Sequence, residues 1–308
     1  DEVGRAISRH IATIRYRPTS CPYGSSQRIL HASFSNGLSA NAIAGDDLGD
    51  VCDPDLDNAG IPNPDDPFPA DDALPGGVVP FKIYGHSSMN LHTVDVDDPY
   101  TVAPVSNFKY SNDGCTHLMT DVAIDRWGVL YGVTFDCGYV IHPQTAQAYK
   151  LGDLPTDFNG LTMIPKGILD PNKDVLVGIA EGGQWYRLTL MNGMFVSQQL
   201  GSYGPGYSSA GDAFSIEGVG TYGAVHKQGV AGTVIVEVDA ATGTVMNGLA
   251  TIGQYPSIFG LAGWEGLILA FNSGGQMIRI DPVSKLVTDL GNKGVGWWGA
   301  GVGTVIPQ

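Results

Sequence analysis

The stretch DVAIDRWGVLYGVTF, from Asp121 to Phe135, decides the fold. Asp121-Val122-Ala123-Ile124 is a short apolar run, Asp125 to Gly128 has turn chemistry, and Val129-Leu130-Tyr131-Gly132-Val133 is a second short run. Both runs are too short for a helix and rich in β-branched and aromatic residues, so they read as two tightly joined strands. The same phrase recurs outward along the chain. A small residue followed by an apolar segment returns at Gly160-Leu161-Thr162, Gly218-Val219-Gly220, Gly260-Leu261-Ala262 and Gly301-Val302-Gly303. Counted from Val122, the intervals are 39, 58, 42 and 41 residues. The long interval predicts an inserted loop at Gly201 to Gly211, which is rich in Gly, Tyr and Ser. A repeat of this length is one unit that buries its faces only against its neighbours.

Most units hold four strands. Second strands are predicted at Val129–Val133, Val175–Ile179 and Leu267–Phe271. Third strands run from Tyr139 to Pro143, Trp185 to Thr189, Val234 to Asp239 and Met277 to Pro282. Fourth strands end near Leu151-Gly152, Leu200-Gly201 and Leu290-Gly291. Residues 79–106 supply three strands only, at Phe81–Tyr84, Leu91–Val94 and Thr101–Val105, and Trp298–Ile306 supplies one. Joined, the two ends complete a fifth unit and leave no open edge. The prediction is an all-β chain, a five-bladed β-propeller over 79–308 closed by its N- and C-terminal strands, with a stacked sandwich as the alternative. The 43 glycines suit many short strands and tight turns.

Residues 1–78 are a different polymer. No Lys or Arg occurs between Ile29 and Phe81, yet ten Asp fall there, and Pro54, Pro62, Pro64, Pro67, Pro69 and Pro75 forbid a regular ladder. Such a segment repels itself unless a cation neutralises it. With a net charge of −15, the chain lacks the basic face that nucleic acid or an anionic membrane requires. No apolar run reaches the ~18 residues that a membrane span needs.

A hard cation takes about six to eight oxygens, delivered by a loop of about 12 residues around a glycine turn. Counting from Asp55, the ligands fall on Asp55, Asp57, the Ile61 carbonyl, Asn63 and Asp66, with Gly60 at the turn; Ala59 is the one position without an oxygen side chain. A second, overlapping loop would use Asp46, the Leu48 carbonyl, Asp50 and Asp53, although its opening positions, Ala42 and Ala44, are empty. One or two calcium ions over about 42–66 are expected, and cation binding would supply the free energy that orders the segment. A solvated acidic linker is the alternative.

Two resemblances add to this. Asp121-Val122-Ala123-Ile124-Asp125 with Gly128-Val129-Leu130-Tyr131-Gly132, and the later Ile280-Asp281-Pro282, resemble bacterial propeller repeats of the Asp-x-Ala-x-Asp-x-x-Gly-x-Leu-Tyr-Gly type. That likeness covers about three-quarters of the chain and implies fold, not function. Gly49 to Asp66 resembles a thrombospondin type 3 repeat, an Asp-rich calcium module, with two departures: Ala59 stands where an Asp is expected, and Pro67-Phe68-Pro69 replaces the usual Cys.

Four cysteines without a CxxC pair predict two disulfides and an oxidising compartment, with buried free thiols as the alternative. Cys115 precedes an innermost strand and Cys137 the third strand of the same unit, so they share a face and can pair. Cys21 with Cys52 would then pin the N-terminal segment. Secretion or cell-surface display is expected, from a chain that begins after processing, and the absence of an Asn-x-Ser/Thr acceptor favours a bacterial source.

Loops at one face carry Phe158, Tyr207, Phe214, Tyr255, Trp297 and Trp298 beside Asp157, Asp212 and Gln254. Exposed aromatics next to polar groups suit a glycan or a protein partner, although about half of such aromatics pack between blades instead. The expected function is binding, adhesion or assembly, with self-association open, and not catalysis. A carbohydrate-active hydrolase or lyase using Asp121, Asp212 and Glu217 is the alternative. A second is copper capture by His86, Met89 and His92, with His117 near the same face.

Overall fold

In the computed structural model residues 53–306 are described, and the chain divides into two compact units, Asp1–Asp72 and Ala73–Gln308. In the second unit every regular element among the described residues is a strand. The first sheet holds β1 (Lys82–His86), β2 (Asn90–Asp95) and β3 (Val102–Asn107). A second meander is β4 (Asp121–Ile124), β5 (Leu130–Val133), β6 (Cys137–Ile141) and β7 (Ala148–Asp153). The next is β8 (Gly160–Ile164), β9 (Val175–Ile179), β10 (Gln184–Met191) and β11 (Met194–Ser202). Then follow β12 (Tyr207–Ile216), β13 (Gly220–Lys227), β14 (Thr233–Val238) and β15 (Val245–Ile252). The last are β16 (Ile258–Trp264), β17 (Leu267–Asn272), β18 (Gln276–Ile280), β19 (Val287–Asn292) and β20 (Gly299–Gly301).

Three sheets have four strands: β20-β1-β2-β3, β12-β13-β14-β15 and β16-β17-β18-β19. The fourth has eight, in the order β4-β5-β6-β7-β11-β10-β9-β8. It consists of two antiparallel meanders joined by a single parallel pairing of Met194 with Asp153. As the strand count anticipated, β20 pairs antiparallel with β1, through Tyr84 with Gly301 and His86 with Gly299. The first strands of the meanders and β20 touch in a closed cycle: β4 with β8, β8 with β12, β12 with β16, β16 with β20, and β20 with β4. Sheets arranged radially around such a ring make a β-propeller.

Apolar cores lie between neighbouring sheets. Phe158, Leu161, Val133 and Phe195 fill one such space; Trp185, Tyr203, Val225 and Val236 fill another. Alternation within each strand supplies both faces, because every blade is covered on both sides.

One part of the repeat reading is corrected. Gly201 to Gly211 is not an inserted loop: β11 reaches Ser202 and β12 starts at Tyr207. Gly218 and Val219 form the β12–β13 turn, and the counterpart of Asp121-Val122-Ala123 is Asp212-Ala213-Phe214. A β-bulge between Ser209 and Ala213 causes the shift. Gly211 lies in it at φ 151°, where an added Cβ would sit 2.8 Å from the Phe259 Cα. In the same way Gly299, not Gly301, opens β20.

Candidate functional site

Three titratable side chains, His86, Asp121 and Asp212, come together on the inner ring, and each is fully buried. The carboxylates act as staples between blades. Asp121 Oδ2 accepts the Leu161 N–H of β8 at 2.7 Å, while Oδ1 accepts the N–H of Val122 at 2.9 Å. Asp212 Oδ2 accepts the Leu261 N–H of β16 at 2.6 Å and the Ala300 N–H of β20 at 3.2 Å. His86 Nδ1 bonds to the Ser87 carbonyl at 2.9 Å, which directs Nε2 toward Asp121 Oδ1, 3.8 Å away. Any side chain on Gly299 would collide with both His86 Nε2 and Asp121 Oδ1.

Burial pushes the Asp121 carboxyl up to about 6, against the pull of His86 and of the Leu161 and Val122 N–H groups. Burial, then the charge of Asp121, pushes Asp212 well above the usual carboxylate range. Both protonate more readily in the fold than in the unfolded chain, where an Asp titrates near ~4. Their stabilising contribution is therefore complete below about pH 4, and it is lost as pH rises through about 6 for Asp121 and higher for Asp212. Asp136, where hydrogen bonds from Thr116 and Thr134 outweigh burial, is held low and acts in the opposite sense. The axial pair is therefore isolated by difference: the melting temperature of Asp212→Asn minus that of wild type should grow between pH 5 and pH 8. A flat difference would show that the fold does not raise the Asp212 carboxyl.

Directly above this plug the innermost strands begin, and a cavity of about 730 Å³ opens there. Phe135, Phe259 and Trp298 give it aromatic walls from three different sheets, and Asn159, Glu181 and His226 give it polar ones. Asn159 Oδ1 is buried with no hydrogen-bond partner. Thr120, Asn159 and Trp298 each stand immediately before an inner strand, at β4, β8 and β20. That shared position is the sequence signal for the cavity. Phe135 and Glu181, each two residues past a second strand, share another.

Of the nine face residues expected from the sequence, Trp298 lines this cavity, and Phe214 is buried in the core. Phe158 and Trp297 are fully buried between sheets, and Asp212 is the staple just described. Tyr207 lies under the Lys227 ammonium, 5.5 Å from its ring centre. Tyr255 donates its hydroxyl to Asp289 at 2.7 Å and lines a separate hollow of about 300 Å³. These residues do not form one surface, because Phe158, Phe214 and Trp297 are buried while Trp298 lines the cavity.

The alternatives fare similarly. Asp121 and Asp212 do not reach solvent, and Glu217, past the end of β12, is bound to Arg126 Nη2 at 2.6 Å. His86 pairs with Leu91 and Gly85 with His92 across β1 and β2, so the two imidazoles lie on opposite faces of the sheet. His86 is buried beside Phe108, His92 packs on Trp297, and Met89 is exposed, so the copper set does not converge. His117 instead stacks on Tyr110 and bonds Asp113 at 2.9 Å.

The expected disulfide between Cys115 and Cys137 is formed, with Cα atoms 6.1 Å apart. Among the described residues Cys115, Cys137 and Asp153 are the one trio of potential metal ligands held close together, and the disulfide occupies both thiols. Cys21 and Cys52, like Asp46, Leu48 and Asp50, lie outside the described residues.

The acidic loop is described from Asp53 onward. Asp55 Oδ2 accepts the Gly60 N–H at 2.9 Å, and Asp57 Oδ1 accepts the Ala59 N–H at 3.0 Å. Asn63 Oδ1 accepts the Leu56 N–H at 2.8 Å, and Asp66 Oδ1 accepts the Phe68 N–H at 2.7 Å. Each carboxylate therefore uses oxygen to shape the turn. Asp55 Oδ1 and Asp66 Oδ2 remain buried without a partner. Burial raises the Asp66 carboxyl, with the Phe68 N–H pulling the other way, and the charges of Asp57 and Asp55 raise it further. Unsatisfied, crowded carboxylate oxygens fit a hard cation. The carboxylate oxygens of Asp55, Asp57 and Asp66 do not all lie within 4.8 Å of one another, so a shared ion requires side-chain adjustment.

No protein-family profile and no curated protein sequence matches the chain. Among solved structures it is similar to the extracellular domain of a Bacteroides thetaiotaomicron one-component system, with 12% identity, a TM-score of 0.37 and coverage of 68% of this chain but 29% of that one. It is also similar to the β-propeller domain of Cps50 (Swd1) from Myceliophthora thermophila, with 14% identity, a TM-score of 0.37 and 64% of each chain covered. A third similar structure is a symmetrical protein from a study of de novo evolutionary emergence, with 13% identity, a TM-score of 0.45, and coverage of 74% of this chain and 99% of that one.

Proposed function

We propose that this chain is a secreted or cell-surface binding module: a five-bladed propeller whose cavity receives a glycan or protein partner, joined to a calcium-ordered N-terminal segment. The observation that carries it is the cavity with aromatic walls above an axis whose carboxylates are all sealed. A concave, mainly apolar hollow with a few convergent polar groups is the usual form of a ligand site. The five-blade count is supported by the cycle β4-β8-β12-β16-β20, with the eight-stranded sheet taken as two blades touching at Met194. The Cys115–Cys137 disulfide supports an oxidising, extracellular setting. No described helix is long and apolar enough to cross a membrane.

Calcium at Asp55, Asp57, the Ile61 carbonyl, Asn63 and Asp66 is the second element of the proposal, with Asp53 available to a neighbouring ion. Calcium titration followed by calorimetry should report one or two ions. Chelation should make the segment around Asp53–Asp72 sensitive to protease, and Asp66→Asn should weaken the ion by at least tenfold. Unchanged protease sensitivity with and without calcium would remove the metal from the proposal. A bacterial source and self-assembly remain part of the same reading, and analytical ultracentrifugation with and without calcium tests the latter.

A further inference from the structure

Building on the binding-module reading, we infer that the cavity takes a neutral sugar unit, the terminal or single exposed residue of an uncharged glycan. Three features of the hollow select that ligand class.

The first is shape. A volume of about 730 Å³ lies within the range of small-molecule sites, and its walls come from all four sheets. A protein partner is met by a broad, flatter surface of about 800 Å² on each side. A one- or two-ring ligand fills such a hollow.

The second is the pairing of walls. Trp298 and Phe259 are half-buried and Phe135 is 38% exposed, so their rings face the cavity with surface to spare. Among the described residues none of the three stacks on another aromatic ring. A pyranose presents an apolar C–H face to such a ring and hydroxyls around its rim. Asn159 has a buried amide atom without a partner. A hydroxyl both donates and accepts, so it satisfies that amide in either orientation. It also satisfies the His226 imidazole in either tautomer, and Glu181 accepts from it. A carboxylate only accepts, so it matches neither Glu181 nor the unpartnered Asn159 oxygen; an ammonium donates to all three groups, and the cation probe below separates that ligand from a sugar.

The third is charge. Among the described residues neither Lys nor Arg lines the cavity and Glu181 is the one carboxylate there, and the chain carries −15. Uronic acids, sialic acids and phosphorylated sugars would meet a carboxylate with no counter-charge.

The test uses the full chain and small probes: methyl glycosides of glucose, galactose and mannose, N-acetylglucosamine, glucuronate, N-acetylneuraminate and tetramethylammonium. Saturation-transfer NMR and titration calorimetry read binding. At least one neutral sugar should bind, with a Kd on the order of millimolar. Trp298→Ala should weaken it at least tenfold, whereas Trp298→Phe should keep most of the affinity. Asn159→Ala should weaken it without touching an aromatic wall, which keeps the test decisive if Trp298→Ala fails to fold. Glucuronate should bind at least tenfold more weakly than the neutral sugars, and Glu181→Gln should narrow that gap. Trp298-dependent binding of tetramethylammonium or of the acidic sugars alone would overturn the neutral-sugar assignment and leave the cavity a binding site. Saturable binding of none of the probes would overturn the assignment.

Discussion

Asp212→Ala is expected to destabilise the propeller by about 3 kcal/mol. The substitution strips the acceptor from two buried N–H groups, Leu261 on β16 and Ala300 on β20. Each orphaned buried donor costs about 1–3 kcal/mol, and relief of carboxylate crowding with Asp121 offsets part of the sum. β20 is the strand that closes the ring against β1, so the damage falls on closure. A domain of this size loses roughly 2–4 °C of melting temperature per kcal/mol, so the midpoint should drop by about 6–12 °C. Asp212→Asn keeps an acceptor for both N–H groups and removes the buried ionisable carboxyl. It should melt near the wild type at pH 5 and above it at pH 8. If Ala and Asn behave alike, Asp212 acts by filling space and not as a staple.

The second large effect is expected from the disulfide. Cys115 and Cys137 are separated by 22 residues, and releasing a loop of that length returns about 3 kcal/mol of chain entropy to the unfolded state. The bridge also fixes the turn around Asp113, whose carboxylate takes the Tyr139 hydroxyl at 3.1 Å, and around Thr116, whose N–H donates to Asp136. The double variant Cys115→Ala/Cys137→Ala should lose about 6–12 °C in melting temperature. Amide exchange between Ser111 and Leu118 should accelerate well beyond the global change. Loss of the midpoint without local acceleration would locate the bridge's effect wholly in the unfolded chain.

Much of this architecture was legible one strand at a time. Val175–Ile179 was bounded to the residue, and the complementary ends, three strands before Asn107 and one after Trp298, predicted β20 beside β1. Strand pattern is a local property: a period of two, short apolar runs, and Gly or Asp turns can be read from neighbouring residues.

What the sequence determined by itself, then, was most of the strands, the closure by the two ends and one disulfide. Only the tertiary structure decided which residues occupy the axis and which line the cavity. The bulge at Ser209–Ala213 moves Asp212 onto the axis, six residues before Gly218, where the repeat had pointed. It is held there by the approach of Gly211 to Phe259 on the next sheet, a contact between residues far apart in sequence. Asn159, Glu181, His226 and Phe259 converge only because the inner strands close in a ring. Trp297 is buried while its neighbour Trp298 lines the cavity, a division set by the packing around β20 and not by the local sequence.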